Sequence, residues 1–259
     1  MVRPTVTTLI ACKNHGKYLR RAIDSCINQT LRPTDVILIN DGSNDDTAKV
    51  MKEVKDNYPN VRVFSHSFST GNIRSYNEGI EKAKGNYFHL MAADDVMEDT
   101  SFYEQSVLAM LGDPSIAFSS IGLEWMDDNG KKMGVIATPP FEGRKESLDV
   151  LRELYSRGNF INGGGTLIQT AIQRNIGGYD GRLPLSADYL NWIRVLKKGH
   201  AAHFIKEAGY LYRRHHGQMT YGKSAPNPER EICKRELEDA ILECSGGKVG
   251  KLTGTTAAA

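Results

Sequence analysis

Asp94 and Asp95 stand side by side in the stretch HLMAADDVMED, residues 89–99, where a run that reads as a buried strand has just ended. Two adjacent carboxylates on a short loop repel each other and are costly to hold together, unless a hard divalent cation with oxygen ligands neutralises them. Mg²⁺ or Mn²⁺ meets that need. Such an ion commonly takes one or two protein carboxylates and fills the rest of its shell with water and phosphate oxygens. The sparse supply of ligands here therefore points to a phosphate-bearing partner, a diphosphate held through the metal.

The elements that must position this pair can be read from the preceding residues. TVTTLIA (5–11) is apolar and β-branched and runs straight into the polar loop CKNHGK, the pattern of a strand and its exit. Leu19, Ala22, Ile23, Cys26 and Ile27 then follow the i, i+3, i+4, i+7, i+8 spacing of one buried helical face. RPTDVILIN supplies a second strand after the Pro33 turn, completing a β-α-β unit. The pattern repeats with a helix carrying Val50, Met51 and Val54, the strand VRVF, a helix marked by Ile73, Tyr76, Ile80 and Ala83, and the strand NYFHLMAA. This alternation predicts a mostly parallel, doubly wound sheet over roughly the first 120 residues. The clusters CKNHGK, NDGSNDD, HSFSTGN and ADD all fall at carboxyl ends of its strands, the edge where such sheets bind ligands. For Asp45 or Asp46 in the second cluster, a helix cap or turn former is the expected role.

The second half is less regular. IGLEWMDDNGKKMGVI has a DNG turn between apolar stretches and predicts a hairpin, and NFINGGGTLI predicts a glycine loop leading into a strand. Tyr189, Trp192, Ile193, Val195 and Leu196 populate a helix ending before Gly199, with Trp192 on its core face. Arg213 and Arg214 read as solvated charges on a strand edge. Residues 226–244 are expected to form a C-terminal helix, and 245–259, small and polar, a flexible tail.

Composition narrows the partners. With 33 Lys plus Arg against 31 Asp plus Glu, a formal charge of +2 gives no electrostatic case for nucleic acid. Four widely spaced cysteines without a C-x-x-C pair suggest reduced thiols, a cytoplasmic setting and no cysteine zinc site. No apolar run approaches the ~20 residues of a membrane span, so no transmembrane segment is expected.

At this point the residues resemble a known family. VTTLIACKNHGKYLRRAIDSCINQTLRPTDVILINDGSNDDT, followed by GNIRSYNEGIEKAKGNYFHLMAADD, is similar to the nucleotide-sugar domain of the family 2 glycosyltransferases, over about residues 4–220. The resemblance implies the GT-A fold: a Rossmann-like, mostly parallel sheet flanked by helices, with a smaller antiparallel acceptor-side portion. One domain is expected over 1–244, with a nucleotide-binding half (1–120) and an acceptor-binding half (121–225). The resemblance further implies metal-dependent, inverting transfer of a hexosyl or N-acetylhexosaminyl group from a nucleotide-diphosphate donor, UDP-linked, with Mn²⁺ or Mg²⁺. The acceptor would be a saccharide or lipid-linked saccharide in surface polysaccharide or glycoconjugate synthesis, met at the inner face of the membrane.

Carried over residue by residue, Asp41 in NDGS matches the carboxylate that recognises the base, helped by Arg74, with Ala11, Cys12 and Asn14 lining the base pocket. Asp94 would bind the ribose and Asp95 the metal, as in the family's DXD-type motif. SADYLNWIRVLKKG resembles the family's ED motif and gives Asp188 the position of general base. His215 in YLYRRHHGQMT corresponds to a residue that completes the metal shell or touches the diphosphate. Gly163 and Gly164 of INGGGT match a loop on the acceptor side, where glycine permits close backbone approach, and Trp125 is the better candidate for stacking on a sugar. Asn40, Ala92 and Ala187 stand where the family has acids; without a carboxylate at 187, like-charge repulsion raises the pKa of Asp188 less. Two rival readings are a sugar-nucleotide binding module without catalysis and a polyprenyl-phosphate glycosyl synthase, whose phosphate acceptor needs no base. A nucleotidyltransferase is disfavoured because CKNHGK has a single glycine and no basic phosphate loop.

Overall fold

The first strand, β1 (Val6–Cys12), is buried on both faces, as its run of β-branched and aliphatic residues requires. Its alternation divides the interior in two. Leu9 faces one cluster with Ile37, Ile39, Phe118 and Trp192, while Ile10 faces another with Val36, Leu38, Leu19 and Ile23. The computed structural model describes residues 4–219 and 227–246.

After β1 come α1 (Gly16–Ile27), β2 (Asp35–Asp41), α2 (Thr47–Asn57), β3 (Val61–His66), α3 (Asn72–Lys82) and β4 (Tyr87–Leu90). These strands pair in parallel in the order β3-β2-β1-β4, with Leu9 opposite Ile37 on one side and Leu90 on the other. All four polar exits therefore lie on one edge. The helices cover both faces: Leu19, Ala22, Ile23, Cys26 and Ile27 are the buried residues of α1, the stripe the spacing predicted.

The remaining elements are β5 (Val96–Met97), α4 (Phe102–Gly112), β6 (Ile116–Met126), β7 (Lys132–Ala137), β8 (Gly143–Lys145), α5 (Ser147–Arg157), β9 (Thr166–Gln169), α6 (Thr170–Asn175), α7 (Ala187–Lys197), β10 (Ala201–Arg213) and α8 (Asn227–Cys244). They extend the sheet as β4-β9-β6-β10-β5. β9 is antiparallel to both its neighbours, β10 is parallel to β6, and the short β5 runs against β10. The expected hairpin is β6–β7, closed by a turn in which the Asp127 amide donates to the Lys131 carbonyl. Trp192 is 1% exposed and packs on Phe118, a core residue as expected. α8 packs on α5 and α7, adding Cys233, Leu237, Ala240 and Ile241 to the cluster that holds Leu9. Of the expected tail, residues from 247 onward lie outside the described residues, as do 220–225 of the expected acceptor half.

One expectation is overturned. Arg213 is 3% exposed, because β10 is an interior strand between β6 and β5 and its last residue lies under the β6–β7 turn. Its guanidinium donates to the main-chain carbonyls of Asp94, Asp127 and Asp128 and stacks over Tyr18. It is a buried brace between the aspartate loop and the hairpin, and not a solvated charge.

Candidate active site

The exits of β1 and β2 are laced together. Asn14, at φ 59°, sits in the left-handed region that asparagine tolerates. Its amide donates to Ser43 Oγ, and its side-chain oxygen accepts from the Asn44 amide. Asp45 takes the amides of Gly16 and Thr47, so Asp45, and not Asp46, supplies the capping oxygen at α2. Asn14 thus organises the rim on which Ala11 and the buried Cys12 end. Burial, with the charges of Asp45, Asp94 and Asp41, pushes the Cys12 thiol up to about 12, so it stays protonated.

Asp41 is 4% exposed and accepts from His66 Nδ1, Ser69 Oγ, the amides of Thr70 and Gly71, and Thr70 Oγ1. Burial alone would raise its carboxyl, yet these bonds hold it far below the usual range. It pins the 69–71 turn that starts α3. His66 bridges Asp41 and Glu78, at 2.7 and 2.8 Å, and the Asp41 bond raises its pKa against the effect of burial. Arg74, exposed on the first turn of α3, makes no ion pair among the described residues and lines a cleft of about 740 Å³ with Thr70, Gly71, Asn72 and Pro184.

The aspartate pair is split by its surroundings. Asp95, 3% exposed, accepts from the Tyr210 hydroxyl at 2.6 Å and from the Arg213 amide at 2.7 Å, so both its oxygens are taken by β10. Burial and the adjacent Asp94 charge push its carboxyl well above the ordinary range. Asp94 points the other way. Its Oδ2 lies 3.0 Å from His215 Nε2 and 3.8 Å from His15 Nε2, and one ligand atom from each of these three residues lies within 4.8 Å of the others. The expected division, ribose at Asp94 and metal at Asp95, is therefore not what the side chains present: Asp94 is the carboxylate grouped with His215. This donor set of one carboxylate oxygen and two imidazole nitrogens is chemically suited to a divalent transition ion.

Asp188 opens α7, with Oδ1 accepting from the Tyr189 amide and Oδ2 lying 3.3 Å from Asn159 Nδ2. Burial, with no acidic neighbour at 187, brings its carboxyl up to about 6, within reach of a base working near neutrality. The glycine loop threads between this aspartate and Asp95. A Cβ on Gly163 would come 3.3 Å from Asp188, and one on Gly164 would fall 2.0 Å from the Tyr210 hydroxyl. The close approach that requires glycine is thus to the protein's own acidic residues and their partners. Tyr76 reports the same convergence: burial, then the charges of Asp94, Asp188 and Asp95, push its hydroxyl up to about 12.

The loop is also held from below by residues that sequence reasoning missed. His89 Nε2 lies 2.6 Å from the Gly164 carbonyl, which can only accept, so Nε2 carries the proton. Nδ1 then accepts from the Tyr103 hydroxyl at 2.6 Å, and Tyr103 accepts from Thr8 Oγ1 at 2.7 Å. Burial holds the His89 pKa down at about 4, so the ring stays neutral. Tyr210, Arg213, Asn159 and His15 were missed as well; each acts through partners far away in sequence. Trp125, half-buried on β6, has the Arg214 guanidinium over its ring, so one face is already stacked.

Comparison with known proteins identifies the family and the fold. A glycosyltransferase of Rickettsia typhi, itself uncharacterized, is 27% identical over 219 residues, covering 84% of this chain and 66% of that protein. TarS of S. aureus (residues 1–349), solved with UDP-GlcNAc, superposes with a TM-score of 0.73 at 17% identity, over 92% of this chain and 66% of that one. The mannosyltransferase PcManGT of Pyrobaculum calidifontis, solved with GDP-Man and Mn²⁺, gives 0.62 at 13%, over 97% and 78%. The chain spans about two thirds of the length of the Rickettsia relative and of that TarS chain. The structural likenesses show the GT-A fold. Residues 7–164, more than half of the sequence, match the family model for glycosyl transferase family 2, and the chain belongs to that family.

Proposed function

We propose that this chain is a divalent-cation-dependent, inverting glycosyltransferase that moves one sugar from a nucleotide-diphosphate donor, UDP-linked, to a hydroxyl of a saccharide or lipid-linked saccharide. The observation that carries the reading is the convergence of two kinds of group on the surroundings of Tyr76, which feels the charges of both Asp94 and Asp188: Asp188, its carboxyl raised by burial, and the Asp94–His215 cluster at the exit of β4. The nucleotide would lie along the exits of β1 and β2, against Ala11 and Cys12, with Arg74 at the base and Asp41 fixing the turn beside it. Asp94 and His215 would hold the cation, with Asp95 bonded beneath as support for β10. When bound, the ion offsets the charge that builds on the diphosphate as it leaves.

In the chemical step the acceptor oxygen attacks the anomeric carbon from the face opposite the diphosphate. The bond from that carbon to the diphosphate oxygen breaks, and the hydroxyl proton passes to Asp188. One base suffices, because the departing diphosphate needs no proton. Family membership supports transfer, and the ligands named for TarS and PcManGT support a sugar nucleotide and a cation as partners. Among the described residues no helix is long and apolar enough to cross a membrane.

The test is titration calorimetry with UDP, with and without Mn²⁺, followed by a UDP-release assay across donor sugars and acceptors. Mn²⁺-dependent binding and turnover on one donor support the reading. Binding with no turnover on any pair would favour the non-catalytic module, and turnover only with a polyprenyl phosphate would favour the synthase.

A further inference from the structure

The His15 ring stands beside Asp94, Tyr18 and His215 without a hydrogen bond of its own among the described residues. His15 is the N-terminal flanking residue of α1, yet its ring makes no capping hydrogen bond. Its Nδ1 is buried without a partner, and its Nε2 stands 3.8 Å from Asp94 Oδ2, beyond hydrogen-bond reach. The residue is nonetheless held firmly by its main chain. Its amide donates to Thr47 Oγ1, and its carbonyl accepts from the amides of Tyr18 and Leu19. Its ring stands edge-on to His215, with centroids 6.3 Å apart. Nε2 is the ring nitrogen turned toward the Asp94 carboxylate, and with one ligand atom each from His15, Asp94 and His215 lying within 4.8 Å of one another, an ion between them could reach all three.

We propose that His15 is a third protein ligand of the cation, and that the resulting set of two imidazoles and one carboxylate selects Mn²⁺ over Mg²⁺. The inference rests on the reading of Asp94 and His215 as the cation site and adds to it the identity of the ion. Mg²⁺ binds oxygen and gives up its water reluctantly, so a site with a single available carboxylate and two nitrogens offers it little. Asp95 cannot make up the shortfall while both its oxygens are bonded to β10. Mn²⁺ stands at the weak end of the order for nitrogen-containing sites, which rises through Co²⁺ toward Zn²⁺, yet it accepts imidazole where Mg²⁺ holds to oxygen.

The experiment uses the full chain with UDP at saturation and compares Mn²⁺ and Mg²⁺ binding by calorimetry in the wild type, His15→Ala, His15→Asp and Asp94→Asn. Pulsed EPR of the Mn²⁺ complexes counts the nitrogen couplings. The wild type is expected to prefer Mn²⁺ and to show two imidazole couplings. His15→Ala should lose about tenfold or more in Mn²⁺ affinity with little change for Mg²⁺, and should keep one coupling. His15→Asp, which replaces nitrogen by oxygen, should narrow or reverse the preference. Thermal melts without metal check that the variants fold. A single coupling in the wild type, or an unchanged Mn²⁺ to Mg²⁺ ratio in His15→Ala, would overturn the role of His15 and leave the cation site standing. Mn²⁺ binding that survives Asp94→Asn unaltered, or that is absent from the wild type, would overturn the site itself.

Discussion

Replacing Asp188 by Asn should leave the protein more stable and unable to catalyse transfer. The folded carboxyl titrates near about 6 against an ordinary 3.8, with burial as the largest cause. Each unit of such a gap is worth about 1.4 kcal/mol, so the ionised group destabilises the fold by at most about 3 kcal/mol. Because Asp188 remains partly open to solvent, about 1–2 kcal/mol is the better expectation. The sign follows from proton binding. Between about pH 4 and pH 6 the folded state holds a proton that the unfolded state has lost, so wild-type stability falls as pH rises through that window and is level above it. Asp188→Asn removes that slope, so its advantage should be near zero at about pH 4 and full at about pH 7, where it should raise the melting temperature by about 3–6 °C. Transfer measured on the same preparation should fall by about a hundred- to ten-thousandfold, while UDP and Mn²⁺ binding persist. In the wild type, transfer should rise with pH to a midpoint near about 6. A variant less stable than wild type at neutral pH, or a gain that does not vary with pH, would refute the burial argument, and full activity would exclude Asp188 as the base.

Three further outcomes are expected. Gly164→Ala would drive a methyl into the Tyr210 hydroxyl, which must move and release Asp95; a loss of about 1–3 kcal/mol by urea denaturation, together with loss of transfer, checks this. His89→Leu should cost about 1–3 kcal/mol and lower kcat while the KM for donor stays near the wild-type value, because the buried relay it breaks holds the glycine loop. His89→Gln, which keeps a donor, should recover part of kcat, and a variant that lost only stability would contradict the positioning role. His66 is raised above its ordinary 6.5 by Asp41 and Glu78, so its contribution is complete below about 6.5 and is lost as pH rises through the folded value. His66→Gln should therefore destabilise more at about pH 6 than at about pH 8.5 in denaturation curves, and a pH-independent effect would show that the bridge is not charged.

Much of the scaffold was legible because its cause is local. β1 and β2 are short β-branched runs between polar loops, and α1 shows one apolar stripe, so strand, turn and helix could be read in order, and with them the edge where the aspartates emerge. α4 went unread because Leu108 and Leu111 are 62% and 55% exposed, which spreads apolar residues around the helix and leaves no clean stripe. The site was legible as a collection of residues and less so as a geometry. Which member of the Asp94–Asp95 pair faces outward is decided by Tyr210 and the Arg213 amide, 115 and 118 residues away, and no spacing within HLMAADDVMED encodes that. Arg213 looked like an edge charge because nothing in YLYRRHHG says that the strand is interior. His15 and His89 fit no pattern at all: one sits in a loop and the other in an apolar strand, and their meaning comes from Asp94, Gly164 and Tyr103.

The most direct measurement is a crystal of the chain grown with UDP and Mn²⁺, with data collected at the manganese absorption edge. The account predicts one anomalous peak between Asp94 and His215, with the diphosphate on its far side and Asp188 facing the space where the anomeric carbon of a donor would sit. A peak on Asp95 with its bonds to Tyr210 and Arg213 broken, or a diphosphate bound out of reach of Asp188, would contradict it.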